Sequence, residues 1–145
     1  MAAEQPFQRF PEWMWRNTDF SAFIDWLHKY NHKIAELKDR VGFYGLDMYS
    51  MRESISQVLD YLAHVDPEAA HAARERYGCL MPWMREPANY GAAVLRGFHK
   101  CEKKVMDQLN ELLKKRIQYM KDDGLSYFDA QMNARVVASA EKYYR

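Results

Sequence analysis

The chain has 145 residues, of which 48% are hydrophobic, and its formal net charge is +1. This length fits one domain with a sizeable core, and the balance of 21 basic and 20 acidic residues argues against a basic surface for nucleic acid or anionic membranes. No apolar run approaches the roughly 20 residues that span a bilayer, and the N-terminus lacks the basic and apolar regions of a signal peptide. We therefore expect a cytoplasmic protein with neither nucleic acid nor membrane as a partner.

The first half of the chain predicts a helix, a short strand and a second helix. Thr18 is a suitable N-cap for the first helix, and its apolar face is formed by Phe20, Phe23, Ile24 and Leu27. Residues 41–46 form an unalternated apolar run between two charged residues, which is typical of a buried strand. Ser50 and Glu53 form an S-x-x-E capping box that opens the next helix.

The second half predicts helices only. Asp66 and Pro67 are a cap and a first helical residue, and this helix ends at Gly78. A long helix is predicted from about residue 90 to 120, with an apolar stripe of Val105, Leu109, Leu112, Leu113, Ile117 and Met120. The last helix, over 126–145, is expected to use Phe128, Met132, Val136, Ala140 and Tyr143 as its apolar face.

One strand cannot form a sheet by itself, because its backbone groups need a partner strand. We therefore predict a mainly α fold with one short buried β-strand near 41–46, as a fragment of a larger α/β fold. Residues 1–145 would then be a single partial domain whose partner strands lie outside this chain.

Several common catalytic and metal motifs are missing or incomplete. The sequence has no G-x-S-x-G motif, which argues against a nucleophile-elbow serine esterase. His28 and His32 share a helix face, but Lys29 stands where a zinc protease motif needs glutamate, so we expect a solvated face and no metal or other cofactor. For Cys79 and Cys101 we expect reduced thiols, with a disulfide as the alternative.

Two places are candidates for a ligand pocket. Asp47 follows the predicted strand, and ligands of α/β sheets bind beyond the carboxyl ends of strands. The alternative is that Asp47 caps the next helix or pairs with an arginine. Trp15, Arg16 and Asn17 form an aromatic and polar cluster in which Arg16 offers a forked donor to a carboxylate or carbonyl. The alternative for this cluster is a structural staple before the first helix.

The segments WMWRN and FYGLDMYS, together with ARERYGCLMPW and FDAQMNARVVASAEKYYR, resemble the erythromycin-esterase-like family in order and spacing. The resemblance covers residues 10–145. It implies a bacterial α/β hydrolase linked to macrolide resistance, in which a histidine general base activates water for attack on an ester or macrolide lactone. Arg16, Asn17, Asp47 and Tyr49 match family motif positions and, with Trp15, are the expected pocket residues.

The family's catalytic histidine lies in a G-E-x-T/S-H-G motif, and a second histidine lies in an H-N-x-H-like motif; neither occurs in this sequence. The catalytic residues therefore remain unknown. We expect the middle segment of an esterase-like hydrolase that is inactive alone, with a small-molecule ester or lactone as the full-length protein's substrate. The alternative is a stand-alone helical module that binds a partner without catalysis.

Overall fold

The computed structural model describes residues 12–43, 50–121 and 123–145, and the secondary structure in these residues is helical. The α-helices are α1 (Glu12–Trp15), α2 (Thr18–His32), α3 (Met51–Val65), α4 (Pro67–Tyr77), α5 (Ala88–Leu95), α6 (Glu102–Lys114), α7 (Arg116–Tyr119) and α8 (Gly124–Tyr144). Two 3₁₀ turns lie at Leu37–Asp39 and Met81–Trp83. None of the described helices combines the length and the apolar character needed to cross a lipid bilayer.

Local capping residues determine where several helices begin. The Asn17 side chain, not that of Thr18, caps α2 by accepting a hydrogen bond from the Phe20 N–H. Asp66 caps α4 through the Ala69 N–H, and Pro67 is the first residue of that helix, as the sequence predicts. Ser50 is the N-cap residue of α3, but its side chain makes no capping hydrogen bond.

The chain divides into two compact units, Met1–Tyr44 and Gly45–Arg145. In the second unit, α8 packs against α3, α5, α6 and α7, while α4 packs against α3 and α6. Small residues on α8, including Ala130, Ala134 and Ala140, are fully buried, which allows close approach of the neighbouring helices. The buried apolar cluster runs from Met51 to Ala140 and accounts for the stability of this helical bundle.

The described part of the first unit contains an aromatic cluster between α2 and Phe43. Phe43 contacts Phe20 and Phe23, with ring centroids 5.6 Å and 5.7 Å apart. Further along α2, the Trp26 ring stacks on Phe23 and Tyr30 at 6.1 Å and 5.6 Å. Leu27 is the buried side chain of α2, so most of the predicted apolar face remains partly open to solvent.

The predicted buried strand at 41–46 is not confirmed. Residues 41–43 are exposed and have no strand conformation, whereas residues 44–46 lie outside the described residues. The reason at Val41 is local: its N–H donates to Asn31 Oδ1 and its carbonyl accepts from Asn31 Nδ2, at 2.9 Å and 2.8 Å. One side chain thus satisfies both backbone groups that a neighbouring strand would otherwise bond.

The predicted long helix over 90–120 is wrong. Gly97 has φ 99°, a left-handed conformation that separates α5 from α6, and Ile117 is 80% exposed instead of facing the core. The predicted apolar face of α8 is also wrong in part. Tyr127 and Val137 are buried, whereas Phe128 and Tyr143 are exposed, because the alanines beside them let that face pack most closely.

Cys79 and Cys101 form a disulfide, with Cα atoms 5.9 Å apart. The expectation of two reduced thiols is therefore wrong, and the alternative of a disulfide is what the structure contains. Cys101 is fully buried and Cys79 is partly buried. The bond links the end of α4 to the start of α6 across the segment that contains α5.

Candidate functional site

Three of the predicted pocket residues lie together between α1 and α2. The Asn17 side chain accepts from the Phe20 N–H at 2.8 Å, and its amide donates to the carbonyls of Trp13 and Met14 at 3.1 Å and 2.8 Å. Asn17 therefore caps α2 and also bonds the last carbonyls of α1. Its amide is occupied by backbone partners, which gives it a structural role that the sequence did not reveal.

Arg16 and Trp15 flank this cap. A guanidinium nitrogen of Arg16 lies 3.2 Å from a Glu12 carboxylate oxygen one helical turn away, and both side chains are exposed. The Trp15 ring meets Phe20 and Phe43 edge-on, at 5.1 Å and 6.3 Å. These contacts fit the structural staple, and the pocket role of the cluster remains a prediction.

The two other predicted pocket residues, Asp47 and Tyr49, lie outside the described residues. Their expected roles at the end of a strand and in a pocket wall therefore also remain predictions.

A polar cluster that the sequence did not predict joins three elements of the second unit. Asp66 Oδ2 accepts from Lys115 Nζ at 2.6 Å and from Tyr119 Oη at 2.8 Å, while Oδ1 accepts from the Ala69 N–H at 3.0 Å. The Lys115 hydrogen bond is the main reason why the pKa of Asp66 falls to about 2. Burial, followed by the bond to Asp66, raises the pKa of Tyr119.

This Asp66 cluster fixes the junction between α3 and α4 to the segment between α6 and α7. Its chemistry is that of a stable ion pair, since a carboxylate with a lowered pKa is a poor base and a phenol with a raised pKa is a poor acid near neutral pH. Of this cluster, the sequence predicts only the helix cap at Asp66–Pro67. Lys115 and Tyr119 belong to no sequence motif that would predict their contact with Asp66.

A groove of about 760 Å³ lies beside the Asp66 cluster, and its lining includes Asp60, His64, Asp123 and Asp129. Asp123 is used as the cap of α8: it accepts from the Ser126 hydroxyl at 2.6 Å and from the Leu125 and Ser126 N–H groups. The Ser126 bonds lower the pKa of Asp123. One of the carboxylates that line the groove is therefore used as a helix cap and is not a candidate reacting group.

All five histidines are in the described residues, and all five are exposed: His28, His32, His64, His71 and His99. The rings of His28 and His32 lie edge-on at 5.2 Å. His71 Nδ1 lies 3.9 Å from a Glu75 carboxylate oxygen, with both side chains about three-quarters exposed. Within the described residues, no three His, Cys, Asp or Glu side chains are placed to hold a metal ion.

The comparison with protein families matches the chain to a known family. The family model of erythromycin esterase covers residues 1–145, the whole sequence. The chain belongs to the erythromycin esterase family. No solved structure gives a significant match.

Membership of the erythromycin esterase family connects the chain to esterase-type hydrolases and to antibiotic resistance. It also confirms the resemblance read from the aromatic motifs near Arg16 and Asp47. For catalysis, the resemblance implies a histidine base that is oriented by carboxylates. In this chain all five histidines are exposed, and the pair of His71 with Glu75 joins two exposed side chains 3.9 Å apart.

A deeply buried polar group of the second unit is likewise structural. The Glu141 side chain is 2% exposed, and it accepts from Tyr90 Oη at 2.7 Å and pairs with Arg145 at 3.2 Å. Tyr90 Oη in turn accepts from the Cys101 N–H at 2.7 Å. Burial is the main reason why the pKa of Tyr90 rises to about 12, so its hydroxyl stays a donor to Glu141 at neutral pH.

Proposed function

We propose that this chain forms the helical central part of an erythromycin-esterase-type hydrolase. The reaction of the whole enzyme is attack by water on an ester or lactone carbonyl, with a histidine as general base. The chain alone does not catalyse this reaction. The observation that carries the proposal is that every histidine of a hydrolase-family chain is exposed.

A histidine general base must be held in one tautomer and orientation by a neighbouring group. His71 is the histidine with an ion pair, but its contact to Glu75 is 3.9 Å long between two exposed side chains on adjacent turns. Such a pair is solvated and mobile, and it contributes little to positioning. The base of the hydrolase is therefore expected in the histidine motifs that this sequence does not contain.

The role that we assign to the chain is to form part of the substrate pocket. Arg16 would donate to a carbonyl or carboxylate oxygen of the ligand, and Trp15 would cover its apolar part. Asn17 would hold both in place through the α1–α2 cap. Asp47 and Tyr49 match family motif positions and remain predicted pocket residues of the hydrolase.

The test of inactivity compares the purified chain with a variant in which all five histidines are replaced by glutamine. Release of p-nitrophenol from p-nitrophenyl butyrate reports ester hydrolysis, and a mass gain of one water reports opening of a macrolide lactone. We expect equal rates for both proteins. A wild-type rate about tenfold or more above the variant would show that a histidine of this chain acts as the base.

The test of the pocket uses binding instead of turnover, so that it does not depend on the base. A lactone that binds the folded chain raises its melting temperature, and we expect Arg16→Gln to abolish this shift. Arg74→Gln is the matched control, because Arg74 is an exposed arginine of α4. An identical shift in wild type, Arg16→Gln and Arg74→Gln would remove Arg16 from the pocket.

A second candidate function, a helical module that binds a partner protein, is favoured by the exposed aromatic side chains of the first unit. Trp13 is 71% exposed and Trp26 is 57% exposed, and large exposed aromatics are enriched at protein interfaces. This function predicts a cooperative thermal transition with neither hydrolysis nor a shift on adding lactone. A lactone-dependent shift would favour the pocket.

A further inference from the structure

The disulfide between Cys79 and Cys101 lies where two helices and a short connecting helix meet. Cys79 follows Gly78 at the end of α4, and Cys101 is the residue before α6. Their Cα atoms are 5.9 Å apart across a sequence separation of 22 residues, a spacing that a disulfide spans without backbone movement. The bond closes a loop that contains the second 3₁₀ turn and α5.

Besides the disulfide, apolar side chains of the loop hold it on the bundle: Leu80 and Tyr90 are buried in the core. Within the loop, Trp83 contacts Tyr90 and Phe98, with ring centroids 6.3 Å and 5.3 Å apart. Tyr90 on α5 donates to Glu141 on α8 at 2.7 Å. Gly91 lies directly against the Tyr144 carbonyl. Two adjacent residues of α5, Tyr90 and Gly91, thus contact α8 directly.

The disulfide and this attachment share one residue. The Cys101 N–H donates to Tyr90 Oη at 2.7 Å, and the same hydroxyl donates to Glu141. The position of the Cys101 backbone therefore sets the position of the Tyr90 hydroxyl. A change in the restraint on Cys101 acts directly on the hydrogen bond between α5 and α8.

We propose that Cys79–Cys101 is a reversible thiol–disulfide latch that controls how tightly α5 is held on α8. Oxidised, the latch restrains both ends of the 80–100 segment and keeps Cys101 beside Tyr90. Reduced, it leaves the segment attached through its buried side chains and the contacts of Tyr90 and Gly91 with α8, and α5 opens more often. The inference adds a regulatory element to the chain and does not depend on the proposed hydrolase function.

The two sulfur atoms differ in access, which fixes the order of the chemistry. Cys79 is partly exposed and Cys101 is fully buried, so the thiolate of a dithiol reductant attacks Cys79 Sγ. The S–S bond breaks, a mixed disulfide forms at Cys79, and Cys101 leaves as a thiolate that takes a proton from water. The second thiol of the reductant then displaces Cys79; the dithiol becomes a disulfide, and the protein gains two electrons and two protons.

Hydrogen exchange measured by mass spectrometry tests the latch on the unaltered chain. Alkylation with iodoacetamide in concentrated urea, which makes the buried Cys101 accessible, first counts the free thiols before and after dithiothreitol. We expect no labelled cysteine before reduction and two after it. On reduction, amide exchange in α5 is expected to become about tenfold or more faster, while exchange in α3 stays unchanged as the internal control. The Cys79→Ser/Cys101→Ser variant is expected to exchange like the reduced chain, and its exchange rates should not change when dithiothreitol is added.

Three results would overturn the proposal. Two labelled cysteines in the chain after incubation with glutathione disulfide would show that the bond does not form. A disulfide whose reduction leaves α5 exchange unchanged would show that the bond restrains nothing. Equal acceleration in α3 and α5 would show that the bond stabilises the whole bundle instead of acting as a local latch, whether or not the serine variant folds.

Discussion

Asp66 shows how one carboxylate serves a helix cap and a long-range ion pair at once. Its oxygens accept from Ala69, Lys115 and Tyr119. A pKa lowered from 3.8 to about 2 corresponds to about 2 kcal/mol at full strength, and solvent screening at the partly exposed Lys115 reduces this to about 1 kcal/mol. Asp66→Asn keeps a capping oxygen and removes the charge, so we expect a loss of about 1 kcal/mol in urea unfolding at pH 7.

The pH dependence of that difference separates the ion pair from the cap. Because the pKa of Asp66 is lower in the folded chain, its contribution is present above the unfolded pKa near 3.8 and disappears as the pH falls toward about 2. The wild type and Asp66→Asn should therefore converge in stability below pH 4. Asp60→Asn, at an exposed position of the neighbouring helix, is the control. A difference that persists at low pH would assign the loss to the cap.

Gly91 tests the close approach of α5 to the C-terminus of α8. A Cβ at this position would overlap the Tyr144 carbonyl oxygen, whereas helix propensity alone predicts that alanine stabilises a helix by about 1 kcal/mol. We expect Gly91→Ala to destabilise the chain by about 2 kcal/mol. Gly124→Ala is the matched control, because the nearest atom to its new Cβ is the flexible end of Met120 at 3.9 Å. A more stable Gly91→Ala variant would contradict the packing of α5 on α8.

At the scale of elements, the hydroxyl of Tyr90 is the polar link between α5 and α8. Tyr90→Phe removes the donor to buried Glu141 and the acceptor for the Cys101 N–H. The carboxylate would keep its Arg145 partner but lose a charge-assisted bond, so we expect a loss of about 2 kcal/mol or more. Tyr143→Phe, at an exposed tyrosine of α8, should change stability little in the same urea titration. Equal effects of the two variants would rule out the link.

The elements that the sequence predicted well are those with local start and stop signals. Asp66, Pro67 and Gly78 bound α4 as predicted, because a cap, a first-turn proline and a terminal glycine act within a few residues. The strand at 41–46 was inferred from apolar composition. Composition cannot show that the Asn31 side chain bonds the backbone N–H and carbonyl of Val41. The division between α5 and α6 depends on φ at Gly97, and a single glycine in the predicted helix over 90–120 does not by itself predict a break.

In the candidate site, too, local features could be predicted from the sequence and long-range contacts could not. The sequence grouped Trp15, Arg16 and Asn17 because they are consecutive, and the family resemblance gave them a role. Asp66 meets Lys115 and Tyr119 across 49 and 53 residues, a pairing that only the packing of the bundle creates. The alanine-lined face of α8 was missed for a related reason: hydrophobicity ranks Phe128 above Ala130, but close packing of helices selects the smaller side chain.

For the whole molecule, the distribution of buried residues indicates which part of the chain drives folding. The apolar cluster lies entirely between Met51 and Ala140, whereas Leu27 is the buried side chain in the described part of the first unit. We therefore expect residues 45–145 to fold without the first 44. Their melting temperature should lie within about 5 °C of the full chain, since little buried apolar surface is removed.

Circular dichroism and calorimetry of the shortened chain check this expectation, with the full chain as reference. If residues 45–145 lose their cooperative transition, the first unit contributes to the core and its aromatic side chains are needed for folding. If the transition persists, neither the stacked aromatic side chains of α2 nor the cluster of Trp15, Arg16 and Asn17 is required for stability. These side chains would then be available for ligand binding, as the proposed pocket requires. The lactone-dependent shift in melting temperature should disappear when the first 44 residues are removed.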